Sequence, residues 1–378
     1  MALIGGGGNA FIGRVHAIAA QLDNRAELVA GALSSDPQRA QQAAPEFGIA
    51  PARAYSSAAK LITAESQLPE DERVDFVSIA TPNHTHFEIA RQALDAGFHV
   101  VCDKPMTISL DDAEELVKRV EETGRVFAVT HNYTGYPMIR QAREMIAAGE
   151  LGRIIAARAT YVQGWLWSLL PDVVPKRGVW KADPNKAGSG SLGDIGTHAY
   201  NLLRYATGLT PVDLSCLMQS YHPLRELDDY GHAAIRFENG ASGLVTFSQV
   251  THGRLNDLRI EIDGTKGSIS WAQEQPNELF VRSLGQPLRV YERNPMAPYT
   301  NELGRAASRI PGGHPEAFFE AFANIYRAAF DDMISVANGA TVNSRETIYP
   351  SVHDGREGVL FVQQCQASSA NDAAWVQF

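Results

Sequence analysis

The sequence predicts an α/β chain in two parts: a doubly wound parallel sheet, then an α+β domain with a mostly antiparallel sheet. Three observations predict it. In the first third, short and nearly continuous apolar runs alternate with helical stretches. A glycine-rich segment, Gly5 to Gly8, joins the first strand to the first helix. Beyond residue 132 the strand runs follow one another directly, with a hairpin signal between two of them. Continuous apolar runs suit strands covered on both faces, and strand–helix repetition suits a doubly wound sheet. At 378 residues the chain is too long for one ordinary core. We place the domains at 1–131 and 132–378.

The first strand reads as very short, over residues 1–4, followed by strands at 28–30, 76–80, 99–102 and 126–129. Ser109 with Asp112 resembles a capping box with Asp in place of Glu. Ala113, Leu116, Val117 and Val120 follow at helical spacing, and Gly124 ends the run. A helix over 137–148 carries Met138, Ala142, Met145 and Ile146 on one face and stops at Gly149. Residues 154–162 read as a strand. Residues 232–237 and 241–250 read as a hairpin, because Asn239-Gly240 supplies the positive φ angles of a tight turn. Strands at 258–262, 267–271 and 279–281 follow, then a helix over 315–337. There is no internal repeat or low-complexity stretch.

Hydrophobic residues make up 44% and charged residues 20%, an ordinary globular mix, so no disordered majority is expected. The net charge of −10 repels phosphate backbones, so no nucleic-acid partner is expected. Cys102, Cys216 and Cys365 are widely separated and odd in number, which fits neither a disulfide framework nor a metal-site spacing. Reduced thiols in a cytoplasm, and no metal, are the expectation. No basic segment and apolar core open the chain as in a signal peptide, and no apolar run approaches a membrane span.

Glycines between a first strand and a first helix let backbone amides approach a pyrophosphate at the helix N-terminus. If Gly5 and Gly7 are the first two glycines of a G-x-G-x-x-G fingerprint, Gly13 arrives three residues late. Gly8, Asn9 and Ala10 are then an insertion ahead of Phe11 and Ile12. After the second strand, an acid would hold a ribose 2′-hydroxyl and an Arg would suit a 2′-phosphate. Ser34 stands where the acid is expected, with Ser35 next and Asp36 two residues late. Arg39 lies further on, in the next helix. The expected cofactor is NAD, with NADP left open.

Thr81-Pro82-Asn83 closes one strand, with His84 and His86 after it, and Asp103-Lys104-Pro105 closes the next. Ligands of open α/β sheets bind at such carboxyl ends. In the second domain, if residues 190–198 are helical, Asp194 and His198 share a face. Oxidising an alcohol removes a hydride from carbon and a proton from oxygen. A positioned base takes the proton, and a nearby cation favours the alkoxide-like transition state. Lys104 and His198 supply both functions. The alternatives are a solvated lysine, a local helix pair or core histidine, and loop histidines at 84 and 86.

Together these residues resemble the Gfo/Idh/MocA family of glucose-fructose oxidoreductase and inositol dehydrogenase relatives. The resemblance spans almost the whole chain. It rests on the glycine loop with Gly13-x-x-His16, Thr81-Pro82-Asn83-x-x-His86, Asp103-Lys104-Pro105 and Asp194-x-x-x-His198. It extends to Gly264-Thr265-Lys266-Gly267-Ser268 and Gly313-His314-Pro315-Glu316. Asp103 stands where the family has Glu.

The resemblance implies a Rossmann domain, then a domain whose large open sheet often forms the subunit interface, hence a homo-oligomer, dimer or tetramer. It implies that Lys104 fixes a substrate hydroxyl near the nicotinamide, that His198 is the acid/base, and that Asp194 contacts a neighbouring hydroxyl or orients the site. Thr81, Pro82, Asn83, His86, Asp103 and Asn132 fall on the cofactor side. His131, Tyr133, Tyr161, Trp165, Trp167, Lys181 and His314 are candidates for a sugar or cyclitol pocket, where aromatic faces pack on the ring and polar groups address hydroxyls. Trp165 and Trp167 would otherwise fill an interdomain core or subunit contact, and His314 would cap the following helix. The implied activity is oxidation of a secondary hydroxyl of a sugar, sugar derivative or cyclitol. Two alternatives stay open: an enzyme using the nicotinamide as a recycled oxidant for glycoside cleavage or epimerisation, and a non-catalytic nicotinamide sensor. Retention of Lys104, Asp194 and His198 argues against the sensor.

Overall fold

The computed structural model describes residues 1–8, 10–168, 187–222 and 226–378. The chain divides into two compact units, Met1–Thr130 with Phe322–Glu357, and His131–Ala321 with Gly358–Phe378.

The first unit holds a five-stranded parallel sheet of β1 (Ala2–Gly5), β2 (Ala30–Ala32), β3 (Phe76–Ala80), β4 (His99–Cys102) and β5 (Phe127–Val129). The order is β2-β1-β3-β4-β5. Helices α1 (Phe11–Gln21), α2 (Pro37–Ala43), α3 (Ala58–Ser66), α4 (His86–Asp95) and α5 (Leu110–Thr123) lie between the strands in sequence. The chain runs from β1 outward to β2, then returns to place β3 on the other side of β1. That reversal is the switch point where open α/β sheets bind ligands. β2 begins two residues later than the apolar run suggests: Ala30, Gly31 and Ala32 pair with Ala2, Leu3 and Ile4. Pairing outweighs β propensity here, and a Cβ on Gly31 would stand 2.7 Å from Ile49. The helix after β4 follows its sequence signals: Ser109 Oγ accepts from Asp112 N at 3.2 Å, and Gly124 ends α5 in the left-handed conformation at φ 61°.

In the second unit lie α6 (Pro137–Ala147), β6 (Ile154–Val162), α7 (Thr197–Thr207), β7 (Pro211–Gln219), β8 (Tyr230–Phe237), β9 (Ser242–Ser248) and β10 (Asp257–Gly264). The chain continues through β11 (Gly267–Ala272), β12 (Glu278–Ser283), β13 (Arg289–Glu292) and α8 (Glu302–Ala306). Then come α9 (Phe318–Ala337), α10 (Val352–Ala370) and β14 (Val376–Gln377). The sheet has nine strands in the order β13-β12-β11-β10-β6-β9-β8-β7-β14. All neighbours are antiparallel except β6 and β9. One face builds the core with Leu192, Ile195, Ala199 and Leu203 against Ala157, Ala159, Phe247, Ile260 and Trp271. The other face carries exposed Leu217 and Leu244.

Three local readings change. The β8–β9 turn has only one left-handed residue, Gly240 at φ 81°. Phe237 N donates to Ala241 O, so three residues form the loop, and Asn239 Oδ1 accepts from Ala241 N at 2.9 Å instead. The helix expected from 315 starts at Phe318. Glu316 is held back by its side chain, which accepts from Arg309 N at 2.7 Å and Ile310 N at 2.9 Å and pairs with buried Arg293 at 2.9 Å. Residues 322–357 belong with the first unit, where the sequence reading ran 132–378 as one domain. Phe330 packs on Phe76 with ring centroids 5.3 Å apart, and the Tyr326 hydroxyl lies 2.6 Å from His16 Nδ1 and 2.7 Å from Ser78 Oγ. An apolar helix face is visible in sequence, but the core it joins is not. Among the described residues, no helix is long and apolar enough to cross a membrane.

His99 carries a consequence for stability. Its Nδ1 accepts from Val126 N at 2.9 Å, and burial, reinforced by Arg125, lowers its pKa to about 4. The unfolded chain takes up a proton below about pH 6.5 that the folded state refuses. Stability is therefore complete above pH 6.5 and falls as pH drops toward 4. His99→Asn keeps an acceptor for Val126 and removes the titration. Urea unfolding at pH 7.5 and 5 should show a stability loss smaller by roughly 2 kcal/mol in the variant than in the parent. Equal losses would rule out this histidine as a source.

Candidate active site

Gly5 pairs with Ala80 where β1 and β3 end together. The chain leaves β1 through Gly5, Gly6 and Gly8, all left-handed, with φ of 83°, 72° and 63°. Gly6 and Gly13 touch backbone to backbone: a Cβ on either would stand 2.4 Å from the other's Cα. Gly7 N donates to Leu33 O at 3.0 Å, and a Cβ on Gly7 would lie 2.6 Å from that oxygen. Gly13, late by the fingerprint spacing, thus lets the helix settle on the loop, and Gly6 rather than Gly7 is its partner. Asn9 lies outside the described residues. Ala10 precedes α1 and has no capping group, and no acid stands in the first turn. The first-turn amides, from Phe11 and Ile12 onward, have no intrahelical acceptor. Four consecutive glycines, Gly5 to Gly8, ahead of a helix whose N-cap alanine supplies no side-chain cap fit the pyrophosphate of a dinucleotide.

After β2, Ser34 is half-buried, while Ser35, Asp36 and Arg39 are exposed. Asp36 caps α2, its carboxylate accepting from Arg39 N at 2.9 Å, and its own N donates to Ser34 Oγ at 3.1 Å. The late acid therefore stands four residues past the strand, fixed by its cap.

Thr81, Pro82 and Asn83 follow β3, half-buried. His86 opens α4, buried, with Nε2 2.8 Å from Thr81 O and Nδ1 2.9 Å from Pro105 O. Both ring nitrogens are engaged, which makes His86 a clamp between the loops after β3 and β4. Burial lowers its pKa, against the pull of Asp103 and the two carbonyls. Asp103 Oδ1 accepts from Lys104 N at 2.9 Å and Thr130 Oγ1 at 3.0 Å, so the aspartate itself shapes the turn that carries half-buried Lys104. The Lys104–Pro105 peptide is cis.

In the second unit, Asp194 and His198 arise from a π-helical turn, Leu192–Gly196, that runs into α7. Such wide turns recur at functional sites. Its entry is held by Asp228, whose carboxylate accepts from Ser189 Oγ, Gly190 N, Ser191 Oγ and Leu192 N at 2.7–3.0 Å. Gln249 Nε2 donates to Asp194 Oδ2 at 2.8 Å. His198 is buried, with its ring edge-on to Tyr133 at 4.9 Å and near Tyr161 at 6.2 Å. His131 Nδ1 lies 3.4 Å from His198 Nδ1.

Tyr133, Tyr161 and Asn256 close a hydrogen-bonded ring. Tyr161 donates to Asn256 Oδ1 at 2.6 Å, Asn256 Nδ2 donates to Tyr133 at 3.3 Å, and the two hydroxyls lie 2.6 Å apart. Burial, with Tyr133 and Asp194 nearby, pushes the Tyr161 phenol well above its ordinary range and keeps it protonated. The chain of bonds continues from Asn256 Oδ1 to Gln163 at 2.7 Å and from Gln163 Oε1 to the Trp165 indole at 3.0 Å. Trp165 is thus oriented by this network. Trp167 is 46% exposed, near His222 and bonded to Val250 O. His314 is exposed and contributes its carbonyl to Arg293. Asn132 is buried, and its Nδ2 has no hydrogen-bond partner among the described residues. Lys181 lies outside the described residues. Asp228, Gln249, Asn256 and Gln163 escaped the sequence reading. Asp228, Gln249 and Asn256 lie beside strands and far along the chain from the groups they hold, and Gln163, two residues from Trp165, carries no motif of its own.

A profile described as the oxidoreductase family, NAD-binding Rossmann fold, matches residues 1–131, and the GFO/IDH/MocA C-terminal domain matches residues 139–270. An uncharacterized oxidoreductase of Bacillus subtilis, YfiI, is 32% identical over 388 residues, covering 100% of this chain and 96% of its own. Levoglucosan dehydrogenase of Pseudarthrobacter phenanthrenivorans is 30% identical, covering 99% and 96%. An inositol dehydrogenase homologue of Azotobacter vinelandii, solved with NADH and myo-inositol, is 37% identical with a TM-score of 0.91, covering 100% and 97%.

The glycine contact yields a direct test. A Cβ on residue 13 would lie 2.2 Å from Gly6 O. Gly13→Ala should weaken NADH binding by about tenfold or more, near 1.4 kcal/mol, read by nicotinamide fluorescence, with the far-ultraviolet dichroism unchanged. Parental affinity would show that the loop and helix do not need this approach.

Proposed function

This chain belongs to the Gfo/Idh/MocA family of oxidoreductases, with its NAD-binding Rossmann fold over residues 1–131, and we propose that it oxidises a secondary hydroxyl of a sugar, sugar derivative or cyclitol to the ketone. The observation that carries this reading is the presentation of Asp194 and His198 from one braced π-turn amid the rings of Tyr133 and Tyr161. The backbone of Gly5 to Gly8 and the first amides of α1 would hold the pyrophosphate. Ser34 and Asp36 would hold the adenosine ribose. Thr81, Pro82, Asn83 and Asn132 would line the rest of the cofactor. The anionic Asp36 favours NAD over a 2′-phosphorylated cofactor. When bound, the nicotinamide accepts the hydride from the carbinol carbon.

The chain's own groups handle the proton. The Lys104 ammonium lowers the cost of negative charge on the reacting oxygen. His198 takes the hydroxyl proton and returns it in the reverse direction. Asp194, fixed by Gln249, accepts from a neighbouring hydroxyl and so selects a ring bearing adjacent hydroxyls. The related proteins carry myo-inositol and levoglucosan in their names and complexes, and both are rigid polyhydroxylated rings. Trp165, with its indole held by Gln163, offers a flat apolar face to such a ring. The exposed sheet face with Leu217 and Leu244 suits pairing with a second copy, and the three free, buried cysteines suit a reducing cytoplasm.

The test is turnover of NAD and NADP with inositols, aldoses, anhydrosugars and glycosides, followed at the reduced nicotinamide. One ring class should turn over with NAD, and Lys104→Ala and His198→Ala should each lose about 10²- to 10⁴-fold in kcat/KM. Product without net reduced cofactor would replace net oxidation by recycled-oxidant chemistry. Cofactor binding without any turnover would overturn the enzymatic reading.

A further inference from the structure

We propose that His16 is a positioning residue for the NAD site: its bond to the Tyr326 hydroxyl fixes where the first turn of α1 meets the glycine loop. The proposal rests on the reading of Gly5 to Gly8 and the first amides of α1 as the pyrophosphate site.

His16 lies on α1 three residues past Gly13, so the two share a face of the helix. Gly13 touches Gly6 backbone to backbone. One turn on, His16 Nδ1 lies 2.6 Å from the Tyr326 hydroxyl of α9, which in turn lies 2.7 Å from Ser78 Oγ. Ser78 stands opposite Leu3 in the β1–β3 pairing, two residues before the Gly5–Ala80 pair that ends both strands. The phenol therefore stands between α1 and β3, close to where the glycine loop begins. Its own place is fixed by the rings of Phe76 at 6.2 Å and Phe330 at 5.7 Å. A helix is stiff over a single turn, so a hold at His16 limits tilt and slide at Gly13. The amides that open α1 must converge on one anion, and a small tilt of the helix would misplace them.

Stability does not account for this histidine. His16, Ser78 and Tyr326 are fully buried. His16 Nε2 has no hydrogen-bond partner among the described residues, whichever ring nitrogen carries the hydrogen. Leaving a buried polar nitrogen unpaired costs at least as much as one neutral hydrogen bond returns. An apolar residue of similar size would serve the core as well and would leave Tyr326 bonded to Ser78. What it would lose is the tie from α1 to the phenol. Burial lowers the His16 pKa to about 4, against the pull of Asp103, and pushes the Tyr326 phenol well above its ordinary range. Both groups stay neutral near pH 7, so the tie is a neutral hydrogen bond.

The test uses the full chain and needs no substrate: NADH affinity by nicotinamide fluorescence, and thermal unfolding of the cofactor-free protein. His16→Leu should weaken NADH binding roughly 3- to 10-fold while melting no earlier than the parent. Tyr326→Phe should weaken binding as much and melt earlier, since it strands both His16 Nδ1 and Ser78 Oγ. His16→Asn, whose amide stands near the place of Nδ1, should bind NADH within about twofold of the parent. A double variant, His16→Leu with Tyr326→Phe, should bind no worse than His16→Leu alone, because both changes remove the same tie. Parental affinity in both single variants would overturn the proposal. So would additive losses in the double variant, or His16→Asn as weak as His16→Leu. Gly13→Ala separates this proposal from the reading beneath it. If that variant also keeps parental affinity, the pyrophosphate placement fails; if it alone weakens binding, only the role of His16 falls.

Discussion

β1 is paired in parallel on both sides, with β2 and with β3, and the first unit is arranged around that constraint. A strand enclosed on two edges must release the chain at its carboxyl end. There the loop has to climb over Ala80 and Thr81 on one side and Leu33 on the other. A Cβ on Gly5 would lie 2.6 Å from Thr81, and one on Gly7 would lie 2.6 Å from Leu33. The glycines are therefore required by the neighbouring strands before any ligand is considered. The same crowding leaves backbone amides as the groups presented at the switch point, which is the surface a pyrophosphate recognises.

The second unit meets a different constraint. The segment that carries Asp194 and His198 leaves regular helical geometry in a π-turn, Leu192–Gly196, and a wide turn of that kind gains from support outside itself. Asp228 supplies the support through four accepted hydrogen bonds at the segment's entry. Gly190 approaches so closely that a Cβ would stand 1.8 Å from Asp228 O. Gly196 sits over Phe247, where a Cβ would stand 3.1 Å from the ring. The glycines of the 190–196 stretch thus serve packing and bracing, and Ser191 joins the brace by donating to Asp228. The Gly313 to Glu316 stretch is likewise structural: its carboxylate and a buried arginine shape the approach to α9.

The parallel and antiparallel sheets were legible because each has its own periodicity, and the loops after β1, β3 and β4 could be placed at the strands' carboxyl ends because the strand order fixes them there. The sequence could not show which core a long amphipathic helix joins, as the placement of Phe322–Glu357 shows. Nor could it show the polar groups that act by bracing others. Asn256 is 95 residues from Tyr161 and 123 from Tyr133, and Gln249 is 55 from Asp194. A lone Asn or Gln carries no motif, and only the register of β6, β9 and β10 brings these residues to the site. Residues that brace others are drawn from whichever strand passes nearby.

Buried polar groups are tolerated when each has a partner, and the exceptions point to where something else belongs. The Tyr133–Tyr161–Asn256 ring closes on itself, every member both donating and accepting, which fixes the wall beside His198 without demanding anything of a substrate. Asn132, one residue from His131, breaks that pattern, since its buried Nδ2 has no partner among the described residues. An amide donor left in that state costs about 1–3 kcal/mol, and a carbonyl, phosphate or hydroxyl of a bound molecule would remove the cost. One short turn after β5 thus holds His131, 3.4 Å from His198, beside an asparagine whose amide has no partner among the described residues.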